Sequence, residues 1–146
     1  MTLTITLATN QYVACAADRR LVSGRRVVSE QARKLMIIGN EFNALVAYNG
    51  IGSYKPKGSG LNETPNDWVS QASRPNQSLH DFIARLRTIA EPRLRALAPF
   101  FPDHGPKHTF VITGFNDGRA FIGTLSNYED LNGVSVRARG VISGVD

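Results

Sequence analysis

Thr2-Leu3-Thr4-Ile5-Thr6-Leu7-Ala8-Thr9, then Asn10, then Gln11-Tyr12-Val13-Ala14-Cys15-Ala16-Ala17-Asp18, is the stretch on which the fold turns. Thr2, Thr4 and Thr6 alternate with Leu3, Ile5 and Leu7, the period of two that marks a strand. Residues 11–17 read as a second strand, and a tight turn near Asn10 predicts a hairpin. Positions 2 and 18 are symmetric about residue 10, so that hairpin brings Thr2 and Asp18 together. A basic loop is expected next. Residues 34–38 and 42–48 then form two more strands around Gly39-Asn40-Glu41, with Lys34 and Gly50 at one end of the pair. Four strands thus share one end rich in chemistry.

Further along, residues 55–60 are rich in Gly, Pro and Lys and read as an exposed loop. Thr64-Pro65 carries the N-cap and first-turn signature of a short helix reaching about Ala72. Ser78 with Asp81 three residues on resembles a capping box. It opens an amphipathic helix with Leu79, Phe82, Ile83, Leu86 and Ile89 on one face, which Pro92 is expected to kink or end. Trp68 and the Phe82 stripe read as core. Residues 109–115 and 119–125 flank Asn116-Asp117-Gly118, strong hairpin chemistry. Residues 134–143 are one more strand candidate. The order is strands, helices, strands, an α+β pattern without repeats or low-complexity tracts.

The chain has 146 residues, 42% hydrophobic and 20% charged, which fits one globular domain over residues 1–146. No apolar run reaches transmembrane length, and the N-terminus lacks the basic and apolar regions of a signal peptide. The single cysteine, Cys15, lies in an apolar run and reads as a small buried thiol; with no intrachain disulfide available, a reducing cytoplasm is expected. The net charge of +5 is scattered rather than gathered in one stripe. That favours solvated or subunit-contact charges over nucleic-acid binding. His80, His104 and His108 lack metal-ligand spacing, so no metal or other cofactor is expected. His104 and His108 flank a Gly-Pro turn and read as solvated.

Thr2, Asp18 and Lys34 follow one another at equal steps of 16 residues. If Met1 is removed, Thr2 becomes an N-terminal residue carrying both a hydroxyl nucleophile and a base, its own α-amine. An unperturbed α-amine titrates at roughly 7.7–8.0, near working pH. A lysine beside it favours the neutral amine by like-charge repulsion, and an aspartate holds that lysine in place. Thr4 is a rival nucleophile, with spacing to Asp18 and Lys34 off by two.

Thr2-Leu3-Thr4-Ile5-Thr6, Ala16-Ala17-Asp18-Arg19-Arg20, Ala32-Arg33-Lys34-Leu35 and Ala47-Tyr48-Asn49-Gly50 resemble the first third of a proteasome β-type subunit. Those subunits are the threonine members of the N-terminal-nucleophile (Ntn) hydrolase superfamily. The resemblance is best over residues 2–54 and returns faintly at 109–125 and 141–144. It implies a four-layer αββα sandwich and a threonine-type peptidase or amide hydrolase. It also implies a homo-oligomeric ring, and polypeptide substrates fed by a separate ATP-dependent unfoldase. It assigns Thr2 as nucleophile and Lys34 and Asp18 as its tuning pair. Arg20 falls at the family's Arg two residues after the Asp. Gly50 is the candidate backbone donor to the oxyanion, two residues further from Thr2 than the family spacing. Ser143, in Ile142-Ser143-Gly144, loosely matches a serine that hydrogen-bonds near the α-amine. Family members continue beyond the point matching Asp146, so the C-terminal part of the fold is expected to be missing, with a partner subunit covering the exposed sheet. The simpler bacterial ring peptidases need lose only Met1, the route expected here. A catalytically inactive scaffold or assembly subunit of the same fold is the other reading, and it predicts retention of Met1.

Overall fold

Apolar residues at helical spacing and β-branched runs at strand spacing sort this chain into an α+β structure. The computed structural model describes residues 3–23, 26–39, 41–56, 58, 60–101, 103 and 105–128. The strand expected over 134–143 lies outside them. The described strands are β1 (Thr4–Ala8), β2 (Val13–Ala17), β3 (Leu21–Ser23), β4 (Arg26–Ser29), β5 (Leu35–Gly39), β6 (Asn43–Asn49), β7 (Thr109–Asn116) and β8 (Arg119–Ser126). The helices are α1 (Pro65–Ala72) and α2 (Leu79–Leu97), with a 3-10 turn at Ala98–Phe100.

The centre is an antiparallel sheet in the order β5-β6-β7-β8. Its β7–β8 hairpin turns at Asp117 and Gly118, with φ of 50° and 74°. Two positive φ angles make the tight turn whose twist matches the strands, which is why Asp-Gly stands there. Alternate residues of the sheet, Ala44, Val46, Tyr48, Phe110 and Ile112, are buried with Trp68, Val69, Phe82 and Leu86 of the helices. Trp68 is fully buried. A side chain of that size removes about 150–250 Å² from water, gross burial worth about 4–6 kcal/mol.

Both helix starts follow the sequence signals. Thr64 and Asp67 form a reciprocal capping box at α1, and the Ser78 hydroxyl accepts from Asp81 N at 3.1 Å. Pro92, in contrast, does not end α2, which runs on to Leu97. Burial of Ala90, Leu94 and Leu97 against the core outweighs the one backbone hydrogen bond the proline removes.

The β1–β2 hairpin packs on the other side of the sheet from the helices. The Thr4 hydroxyl donates to Asn49 Oδ1 at 2.7 Å, and Asn49 alternates with the helix-facing Tyr48. Beneath the hairpin Ala47 and Thr113 are fully buried. The threonine side of β1 therefore faces inward, whereas Leu3, Ile5 and Leu7 remain 62%, 59% and 50% exposed. The described layers are thus helices, sheet and hairpin, and the outer face of the hairpin is apolar.

Three more sequence expectations give way. The basic loop after Asp18 contains the short β3–β4 hairpin, with Val22, Val27 and Val28 exposed. Of its apolar residues only Leu21 turns inward, against Gly52, so the hairpin lacks the alternation that reveals a strand. The register of β1–β2 pairs Thr4 with Ala17, and the turn spans residues 9–12. Asp18 N donates to Leu3 O at 3.0 Å, so Asp18 stands level with Leu3 and not with Thr2. The offset arises in the turn, where Thr9 N donates to Tyr12 O at 2.8 Å and fixes a four-residue loop. Cys15 is half-buried rather than fully buried, its Sγ 3.5 Å from Thr6 Oγ1.

Candidate functional site

Lys34 occupies the residue before β5, where chain entering the sheet from the β3–β4 excursion turns inward. Its carbonyl accepts from Tyr48 N at 3.2 Å, which extends the β5–β6 pairing by one step and fixes the backbone. The side chain is 1% exposed. A buried ammonium needs both an opposite charge and hydrogen-bond acceptors. Asp18 Oδ1 supplies the first at 2.9 Å. The carbonyl oxygen of Arg20 supplies an acceptor at 2.5 Å. The aspartate is 30% exposed and lies just past the end of β2, anchored by its amide bond to Leu3 O.

Asp18, Arg20 and Lys34 are therefore together, and Leu3, covalently next to Thr2, is hydrogen-bonded to the first of them. The part played by Arg20 is made by its backbone. Its guanidinium instead reaches Glu30 at 3.1 Å in an exposed ion pair, a contact of small energetic weight. Thr2 and Ser143 lie outside the described residues. Thr4 is the first residue of β1, and its hydroxyl already donates to Asn49.

Gly50 follows β6 directly, at the same sheet end as Lys34. Its φ is +103°, and a Cβ there would stand 2.0 Å from Lys107 O. Both the backbone conformation and the close approach of the neighbouring chain demand glycine. Gly50→Ala is expected to lower stability by at least about 2 kcal/mol through left-handed strain and the backbone clash. Urea denaturation measures it; a loss under about 0.5 kcal/mol would mean that the segment before β7 moves aside easily.

Two residues given no role from sequence, Tyr48 and Glu63, lie near this end of the sheet. Tyr48 donates from its hydroxyl to Arg33 O at 3.2 Å. Burial, with Asp67 nearby, pushes its pKa up to about 12. Glu63 accepts at one oxygen from Arg93 Nε at 2.7 Å, Tyr54 Oη at 3.0 Å and Trp68 Nε1 at 3.2 Å. The Arg93 guanidinium holds the Glu63 carboxyl below its ordinary range. This cluster clips the chain after Gly50 onto both helices.

His108 is buried, not solvated as its Gly-Pro neighbourhood implied. Its ring lies 4.6 Å from Phe110, 5.5 Å from Trp68 and 5.8 Å from Tyr48, centroid to centroid. Burial pushes its pKa down to about 3. Position just before an apolar strand was the one sequence signal for this burial. Among the described residues no three His, Cys, Asp or Glu side chains gather as a metal site, and no helix is long and apolar enough to cross a membrane. The sequence matches no protein-family model and no curated protein.

Proposed function

We propose that this chain is a threonine-type peptidase or related amide hydrolase whose nucleophile is Thr2, exposed by removal of Met1. The observation that carries the reading is a buried lysine–aspartate pair, Lys34 with Asp18, hydrogen-bonded through Asp18 N to the residue that follows Thr2. Burying an ammonium at the end of a strand is costly, and a solvated lysine there serves structure as well. A cation held beside an N-terminal amine has a chemical use: it keeps that amine unprotonated near neutral pH.

In this reading Thr2 Oγ attacks the carbonyl carbon of an amide while the Thr2 α-amine takes the hydroxyl proton. The tetrahedral intermediate places its negative oxygen on the Gly50 N–H. Return of the proton to the departing nitrogen breaks the C–N bond and leaves an ester on Thr2. Water, deprotonated by the same amine, hydrolyses that ester and regenerates the hydroxyl. Asp18 orients Lys34, and Ser143 contributes a hydrogen bond near the amine.

The proposed four-layer αββα sandwich takes the described helices, sheet and hairpin as three of its layers. The exposed Leu3, Ile5 and Leu7 face supports a covering layer, from the rest of the fold or from a partner subunit. A homo-oligomeric ring in the cytoplasm, acting on polypeptides delivered by an unfoldase, completes the proposal.

Intact mass of the native protein, before and after a β-lactone or epoxyketone probe, tests it. The expected result is loss of Met1 and a single adduct, both steps intact in wild type and the adduct abolished in Thr2→Ala. Retained Met1 with no adduct would overturn the enzyme reading and leave the non-catalytic scaffold.

A further inference from the structure

The free N–H and C=O groups of an edge strand invite pairing with another strand. β5 is an end strand of the four-stranded sheet, and no other described strand pairs with its outer side. Tyr48 N donates to Lys34 O, and the bonds of an antiparallel pair fall on alternate residues. Lys34, Met36 and Ile38 therefore bond to β6, while Leu35, Ile37 and Gly39 turn their N–H and C=O groups to the open edge. Natural edges are blunted by a charge, a proline or a bulge within the strand. β5 is Leu-Met-Ile-Ile-Gly, paired with β6 in unbroken register, and has none of these. Its Ile37 side chain is 81% exposed.

The sequence along this edge is complementary to itself. When two β5 strands pair antiparallel about Ile37, Ile37 lies opposite Ile37, and Leu35 lies opposite Gly39. These are the residues whose backbone groups point outward, so their pairs exchange about six hydrogen bonds. A Cβ on Gly39 would meet only Asn43 Oδ1 within 4 Å, at 3.5 Å, which leaves room there for the partner's Leu35. Just beyond the strand ends, the same register sets the exposed Arg33 opposite the partner's exposed Glu41, twice by symmetry. Neither side chain is in an ion pair among the described residues. Sliding one strand by two residues keeps outward groups facing each other but forfeits a bonded pair and separates these charges. An arbitrary extended segment satisfies the backbone alone, whereas a second copy of this chain also brings the matching charges and the glycine.

We propose that β5 joins two copies of this chain about a two-fold axis at Ile37, making one continuous antiparallel sheet from their two four-stranded sheets. Such an isologous contact closes on itself and does not run on into a filament. It rests on no part of the Thr2 chemistry. It holds equally between single chains and between larger assemblies built from them.

The native mass of the full chain, by sedimentation or light scattering, tests the contact. Ile37→Lys sets two ammonium groups face to face at the axis, and its exposed position leaves the thermal transition in place as a check on folding. The wild-type assembly is expected to have twice the mass of Ile37→Lys. Arg33→Glu and Glu41→Arg each set like charges opposite one another, and each is expected to raise the dissociation constant of the contact about tenfold. The double exchange restores opposite charges and is expected to return the constant to within about threefold of wild type. Equal masses for wild type and Ile37→Lys would overturn the proposal, whether the edge stays open or is filled by residues of the same chain. So would a double exchange that fails to rescue its single variants, because the register about Ile37 would then be wrong.

Discussion

Asp18→Ala will destabilise the protein by about 3 kcal/mol, and Lys34→Met by about 1 kcal/mol, although each removes the same ion pair. The asymmetry comes from burial. Lys34 is 1% exposed and Asp18 is 30% exposed. Without Asp18 the ammonium stays in the interior with its carbonyl acceptors and no countercharge. Without Lys34 the carboxylate turns to water, and the methionine fills the vacated space with apolar atoms of similar length. The double variant is expected to resemble Lys34→Met alone, giving a coupling of about 3 kcal/mol in a double-mutant cycle. Urea unfolding of the four proteins measures all of these values. Equal destabilisation by the two single variants would mean that Lys34 reaches solvent. On the proposed Thr2 chemistry the order is expected to reverse in activity: Lys34→Met loses probe labelling by about 10²–10⁴-fold, the range of a lost acid–base contribution.

The second large effect is on pH. In the unfolded chain the His108 imidazole titrates at its ordinary 6.5, and in the folded protein burial holds it neutral down to about 3. Between those values the unfolded state binds one proton more than the native state, so stability falls as pH falls. The contribution is complete above pH 6.5 and is lost at about 1.4 kcal/mol per pH unit, reaching about 5 kcal/mol by pH 3. Glu63 adds to the acid loss only below its ordinary value of 4.5, since its folded pKa is lowered. The window between pH 6.5 and 4.5 therefore belongs to His108. Thermal melts across it should slope in wild type and be flat in His108→Leu. A wild-type slope unchanged by that substitution would rule out His108 as its source.

Much of this architecture is legible where one face of an element is buried. Alternation along β1, the Thr64 and Ser78 caps and the Asp117-Gly118 turn all act through local chemistry, and local chemistry is what a sequence displays. The β3–β4 hairpin is invisible for the opposite reason: Val22, Val27 and Val28 all face solvent, so no periodicity marks it. Pro92 misleads because a proline's effect on a helix depends on what the following turn buries. His108 misleads because Gly105-Pro106 describes the turn, while three aromatic rings brought from distant positions decide the burial. The Lys34–Asp18 contact is readable as a spacing. That Arg20 joins it through a carbonyl is not, since every residue has one.

The order in which the sheet is assembled has a consequence for when any chemistry appears. β6 pairs with β7 although both helices lie between them in the chain. Closing that loop costs less once the helical segment is compact, because the entropy of closure rises with the length of free chain. The β1–β2 pair is local in sequence and is paired by itself, outside the four-stranded sheet. Asp18 belongs to the hairpin and Lys34 to the sheet, so their pair spans the seam between two separately assembled parts. The lysine loses its water only when the hairpin docks. The charge arrangement at the seam therefore exists only where both parts are in place, and loosening either one returns the lysine to solvent.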